Sequence, residues 1–168
     1  RKWDEWIGRE RRRVIGVGAT DDHWGRLYAT TWVYIEGDLT REKLHAALTA
    51  GRIVVGENAS AGSLTVISDR PGADGRAAVG RVGDAIVADR RITISWAGQG
   101  KLFIDGRQLE NTVGPVAFEI EPGSFHWIRL EIGIASYSNP VYVNLPEPAP
   151  LPPLAADPSA RESRDTKD

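Results

Sequence analysis

The rhythm of apolar and polar positions changes along this chain. Trp3, Trp6 and Ile7 recur at i, i+3 and i+4, the spacing of one helix face. Arg9, Arg11, Arg12 and Arg13 then close that helix, where cations suit the C-terminal end of the dipole. Val14-Ile15-Gly16-Val17-Gly18 is an apolar run of buried-strand length that ends in Ala19-Thr20-Asp21-Asp22-His23. Thr30 to Glu36 is β-branched and aromatic and predicts a second strand. Thr40 is set to cap a helix from Arg41 to Ala50, with Leu44, Ala47 and Leu48 inward and Gly51 just past its end. Arg52 to Val55 predicts a further strand. Helix, strand, loop, strand, helix, strand over residues 1–56 predicts the closing units of an α/β layer or barrel.

From residue 57 the period becomes two. Ile92, Ile94 and Trp96 alternate with Thr93 and Ser95, and Val116, Phe118 and Ile120 alternate with Ala117, Glu119 and Glu121. Leu102 to Ile104 faces Arg107 to Leu109 across Asp105-Gly106, the strongest short hairpin signal in the chain. From Phe125 to Ile132, one face carries His126, Ile128, Leu130 and Ile132, the other Trp127, Arg129 and Glu131. Val141 to Val143 closes the set, and the spacing predicts a small antiparallel sandwich over residues 57–145. Residues 146–168 hold six of the ten prolines (Pro146, Pro148, Pro150, Pro152, Pro153 and Pro158) followed by charge, a composition expected to be extended or disordered.

Composition narrows the function classes. The net charge of −2 disfavours nucleic-acid binding. The absence of cysteine excludes a disulfide scaffold, a thiolate metal site and a cysteine nucleophile. No apolar run approaches the roughly 18 residues of a membrane span. The chain has no methionine and opens on Arg1-Lys2-Trp3, which predicts the C-terminal piece of a longer protein.

Candidate chemistry gathers at Asp21-Asp22-His23. If the strand before them continues, Asp21 and His23, at i and i+2, point to the same side. A carboxylate plus an imidazole suits Zn, Mn or Fe. A polar strand-to-loop turn, with Asp capping and His at the surface, accounts for the same residues. Arg26 lies in reach of an anionic substrate or is simply solvated. His126, on an apolar strand face, reads as a satisfied core histidine. Gly16-Val17-Gly18 has Asp21 where a dinucleotide fingerprint needs its last glycine.

Several segments together resemble one family. Val14-Ile-Gly-Val-Gly-Ala-Thr-Asp-Asp-His23 looks like the last metal-binding motif of PHP-domain (polymerase and histidinol phosphatase) metallohydrolases, a buried strand ending in Asp-x-His. Leu44 to Val55 is similar to the helix and strand that follow in that family. Trp127-Ile-Arg-Leu-Glu131 and Tyr137-Ser-Asn-Pro-Val-Tyr-Val143 resemble the end of the β-rich extension of its CehA/McbA-like subgroup. The resemblance spans roughly residues 1–143 in order.

The resemblance implies an α/β plus all-β fold: the last βα units of a distorted PHP (β/α) barrel at 1–56, a β-sandwich-like domain at 57–145 and the tail. It implies divalent metal ligands at Asp21 and His23, with Asp22 and Arg26 supporting the site or the substrate. The implied activity is hydrolysis of a small phosphoester or related ester by metal-bound water, metal lowering the pKa of that water to ~7. The early His-x-His pair and the middle Glu and His ligands of the family are absent, so this phosphoesterase-type hydrolase fragment is expected to be inactive without the N-terminal part of its parent chain. The competing expectation is a non-catalytic β-sandwich binding module attached to a degenerate PHP domain, with Trp96, Trp127, Tyr137 and Tyr142 stacking on a ligand.

Overall fold

A computed structural model describes residues 2–19, 29–109, 114–133 and 136–147. Two α-helices are present among them, α1 (Lys2–Glu10) and α2 (Arg41–Ala50), with a short 3-10 turn at Ser60–Ser63. The strands are β1 (Thr30–Val33), β2 (Ile53–Gly56), β3 (Thr65–Pro71), β4 (Ala77–Arg81), β5 (Ala85–Ile86), β6 (Arg91–Ser95), β7 (Lys101–Ile104), β8 (Arg107–Leu109), β9 (Val116–Glu119), β10 (His126–Ile132), β11 (Ser136–Ser138) and β12 (Val141–Val143).

These strands form two sheets. One has four strands in the order β4-β3-β6-β9, all antiparallel. The other has eight, with β10 as its hub. β10 pairs with β7 along one edge; along the other it meets β12 at its start and β11 at its end. β11 then pairs with β2, and β2 with β1, all antiparallel; among the described residues only the short β12–β5 pair is parallel.

This architecture corrects the expected fold class. A barrel of the (β/α) kind needs parallel strands joined by crossover helices. Here β1 and β2 run antiparallel on either side of α2, and β2 joins the same sheet as β10 to β12. The described residues are mostly β, and those described within 1–56 form no barrel edge. The expected first strand at Val14–Gly18 is no strand, and for β1, α2 and β2, which do follow in the expected order, order alone does not state strand direction. The expected sandwich-like, all-β character of the later region does match the two sheets.

Local chemistry explains the regular elements. Thr40 accepts a hydrogen bond from the Lys43 N–H at the start of α2, and Gly51 closes it at φ 74° in the left-handed region. Asp105 and Gly106, at φ 53° and 76°, make the two-residue turn joining β7 to β8. Val66, Ile92 and Ile94 of the smaller sheet pack with Leu102, Ile104, Ile128, Leu130, Val141 and Val143 of the larger one. Apolar area removed from water in this layer supplies most of the driving force.

β10 is buried on both faces, unlike a strand at the surface of a simple sandwich. Ile128 and Leu130 enter the inter-sheet core, while Trp127 and Arg129 face α1. Asp4 of α1 meets them there. Its carboxylate accepts from Arg129 Nη2 at 2.8 Å, Arg129 Nε at 3.0 Å and Trp127 Nε1 at 3.1 Å. Arg129 also binds Glu131 and lies 3.9 Å from the centroid of the Phe103 ring. The helix is therefore rotated from its expected face. Ile7 is fully buried and Asp4 nearly so, while Trp6 is 55 % exposed. A bidentate pair with a buried guanidinium wins that face over an indole.

Burial opposes the Asp4 charge, but the hydrogen bonds and charge of Arg129, with Trp127, overcome it and hold the carboxyl below its ordinary 3.8. Its contribution to stability is thus complete above that ordinary value and is lost as pH falls through the lower folded value. Asp4→Ala should cost roughly 3–5 kcal/mol, because it leaves Arg129 buried without its main partner. Urea denaturation at neutral pH checks this, and the acid limb of the wild-type stability profile should be flattened in the variant. Equal midpoints for the two proteins would contradict the assignment.

Candidate functional site

Val14 to Ala19 lies against the outer side of the larger sheet as an extended segment outside its ladder. Its backbone is satisfied by side chains instead. Val14 N–H donates to the Tyr142 hydroxyl at 3.1 Å, and the Val14 carbonyl accepts from that hydroxyl at 3.0 Å and from Trp3 Nε1 at 3.2 Å. Gly16 N–H donates to Asn139 Oδ1 at 2.8 Å, and its carbonyl accepts from Asn139 Nδ2 at 3.1 Å. Gly18 N–H donates to Thr31 Oγ1 at 2.9 Å, and its carbonyl accepts from the same hydroxyl at 2.7 Å. Each alternate residue thus has both polar groups filled on the inward edge.

The partners come from strand irregularities. Asn139 sits in the Asn139-Pro140 break between β11 and β12, where its own N–H goes to Ile53 O and its side chain is released from the ladder. Burial pushes the Tyr142 phenol up to about 12, although its bond to Val14 and the Arg13 charge pull the other way. It therefore stays a neutral donor through the physiological range. Arg13 reinforces the start of the segment by donating to the Ala50 and Gly83 carbonyls.

Glycine is required where the body touches the segment. A Cβ on Gly18 would lie 2.4 Å from Val55 Cγ1 and 2.5 Å from the Ala29 carbonyl oxygen. One on Gly16 would meet Trp3 and Asn139 at 3.1–3.3 Å. Sequence reasoning missed Asn139, Thr31 and Tyr142 as holding residues. The signal was glycine at alternate positions inside a β-branched run, which marks close approach to a strand backbone.

The residues proposed as metal ligands, Asp21 and His23, lie outside the described residues, as do Asp22 and Arg26. Gly18 and Thr31, on the described segments to either side of these residues, are tied together by two hydrogen bonds. Among the described residues, no group of three or more His, Asp or Glu side chains is placed to hold a metal. Asp and His donors suit a borderline divalent ion in kind, but two fall short of the usual three protein ligands.

His126 is largely buried and hydrogen-bonded through both ring nitrogens, as expected of a satisfied core histidine. Its Nδ1 lies 2.7 Å from Asp105 Oδ2 and its Nε2 2.7 Å from Ser124 Oγ, the order of a nucleophile relay. Hydrogen-bond accounting argues against that use. Ser124 Oγ also lies 2.5 Å from the Glu121 carbonyl, which can only accept, so that carbonyl competes with His126 Nε2 for the single hydroxyl proton. The Ser124 N–H goes to the same carbonyl, closing the Pro122-Gly123 turn. Asp105 Oδ1 accepts from Trp127 N–H. The trio ties two turns together.

Two clefts flank these features. One of about 350 Å³ runs beside Gly16 and Val17, walled by Trp3, Val55 and Tyr137, with Asp4, Arg129 and Glu131 along it. Another of about 450 Å³ opens beneath Tyr34, where Arg52 pairs with Asp84 and Arg81 with Glu36. No helix among the described residues is long and apolar enough to cross a membrane.

Comparison with family models, curated proteins and solved structures gives no match for this chain. The family resemblance rests on its quoted motifs alone.

Asn139→Ala should lower stability by about 1–3 kcal/mol, since both polar groups of Gly16 lose their partner. Gly18→Ala should cost more, because rotating Val55 clears only one of its two clashes and the other is backbone. Denaturation midpoints check both. A wild-type midpoint in either variant would contradict the side-chain clamp.

Proposed function

We propose that this chain contributes two metal ligands, Asp21 and His23, to a metal-dependent hydrolase of small phosphoesters or related esters. The observation that carries the reading is the stem of the segment holding them. Gly18 and Thr31 exchange two hydrogen bonds, and Val55 and Ala29 leave no space for a side chain at Gly18. A stem fixed in this way suits a ligand pair, whose donors must be held to within about 0.5 Å. The Asp-x-His spacing and the order of the motifs it shares with PHP-type metallohydrolases support the same reading.

A divalent ion would supply Lewis acidity and an activated water. The chain's own part is to supply one carboxylate and one imidazole, with Asp22 and Arg26 beside them to support the ligands or meet an anionic group. The remaining ligands come from a polypeptide segment beyond this one, so this chain alone is inactive. The role requires no barrel within residues 1–56. The competing role as an aromatic binding module has less support. Trp127 and Tyr142 are buried under α1 and Trp96 packs against the core, which leaves Tyr137 as the exposed member of that set.

Metal analysis of the natural full-length protein tests this proposal. The purified protein should carry a divalent ion, and Asp21→Ala or His23→Ala should each lower its affinity by more than about tenfold. Unchanged metal content in both variants would remove the ligand assignment and the hydrolase reading with it.

A further inference from the structure

The inward edge of Val14 to Ala19 is fully occupied, and its outward edge is open. Val14, Gly16 and Gly18 send their N–H and C=O groups to Tyr142, Asn139 and Thr31. Ile15 and Val17 alternate with them, so their polar groups point the opposite way. Among the described residues, neither backbone has a hydrogen-bond partner. Their side chains are exposed as well, Ile15 at 37 % and Val17 at 68 %. An extended β-branched backbone with an open row of donors and acceptors is a template for another strand.

Charge specifies the visitor further. Arg13 is spent on the Ala50 and Gly83 carbonyls, and Arg9 pairs with Glu10. Arg11 and Arg12 are exposed, have no ion pair among the described residues, and stand three and two residues before Val14. We infer that this edge accepts an extended partner strand by β-augmentation, apolar or β-branched where it faces Ile15 and Val17, and bearing carboxylates at the end beside Val14. Main-chain hydrogen bonds to Ile15 and Val17 supply the pairing; the two guanidiniums set its direction. The inference is independent of the metal reading, because the edge is open whatever Asp21 and His23 bind.

The test uses the full chain and a fluorescein-labelled peptide, Thr-Val-Thr-Ile-Thr-Glu-Glu, followed by fluorescence anisotropy. Saturable binding is expected. It should weaken about tenfold or more when Val17→Pro removes one edge donor, and by a similar factor in Arg11→Glu/Arg12→Glu. A peptide N-methylated on the amides facing the protein keeps the result independent of any folding defect in Val17→Pro, and it should not bind. Binding that survives N-methylation, or no binding by the wild type, would overturn the inference. Concentration-dependent self-association abolished by Val17→Pro, without peptide binding, would make a second copy the occupant and overturn it equally.

Discussion

A backbone that leaves its sheet must still place every buried N–H and C=O, and the segment from Val14 to Gly18 meets that demand with three side chains. Tyr142, Asn139 and Thr31 each serve one residue with both a donor and an acceptor. A hydroxyl or a carboxamide can do this because each both donates and accepts. The position of α1 before the segment follows from that arrangement. If the clamp slipped by one residue, Ile15 and Val17 would face Trp3 and Val55, where the glycines now fit.

The larger sheet can hold this segment because β10 serves two cores. Its inward side chains complete the layer shared with the smaller sheet, and its outward ones receive α1 through Asp4 and Ile7. The Asp4–Arg129 pair fixes where the helix sits more than it adds net stability, since desolvation of two charges offsets much of their attraction. Glu131 and the Phe103 ring take up the remaining faces of the guanidinium.

Much of this was legible in the residues. Thr40 and Gly51 bracket α2 as their cap chemistry requires, and Asp105-Gly106 makes the predicted hairpin turn. Period-two alternation located β6, β9 and β10. Periodicity reports which way side chains point and says nothing about strand direction, so β1 and β2 were assigned to a parallel barrel and proved antiparallel. An apolar run of strand length does not reveal whether ladder or side chains satisfy it, and Val14 to Gly18 lies half-exposed where a buried strand was expected. Periodicity puts Trp6 on the core face of α1, but it is exposed, and Asp4 is buried because Arg129 stands opposite. The candidate ligands Asp21 and His23 were nameable from their spacing. The residues that hold the segment before them were not, because Asn139 meets Gly16 from 123 positions away and neither it nor Thr31 leaves a periodic signal.

One segment with a closed inward edge and an open outward edge underlies the stem, the docking inference and the position of α1. Amide hydrogen exchange of the free chain, read residue by residue, addresses it directly. Gly16 and Gly18 should be protected by their bonds to Asn139 and Thr31, while Ile15 and Val17 exchange as exposed amides do. Uniform protection from 14 to 18 would mean the outward edge is already paired, and uniform fast exchange would mean the clamp does not hold. Either result would contradict the account; strict alternation is what it predicts.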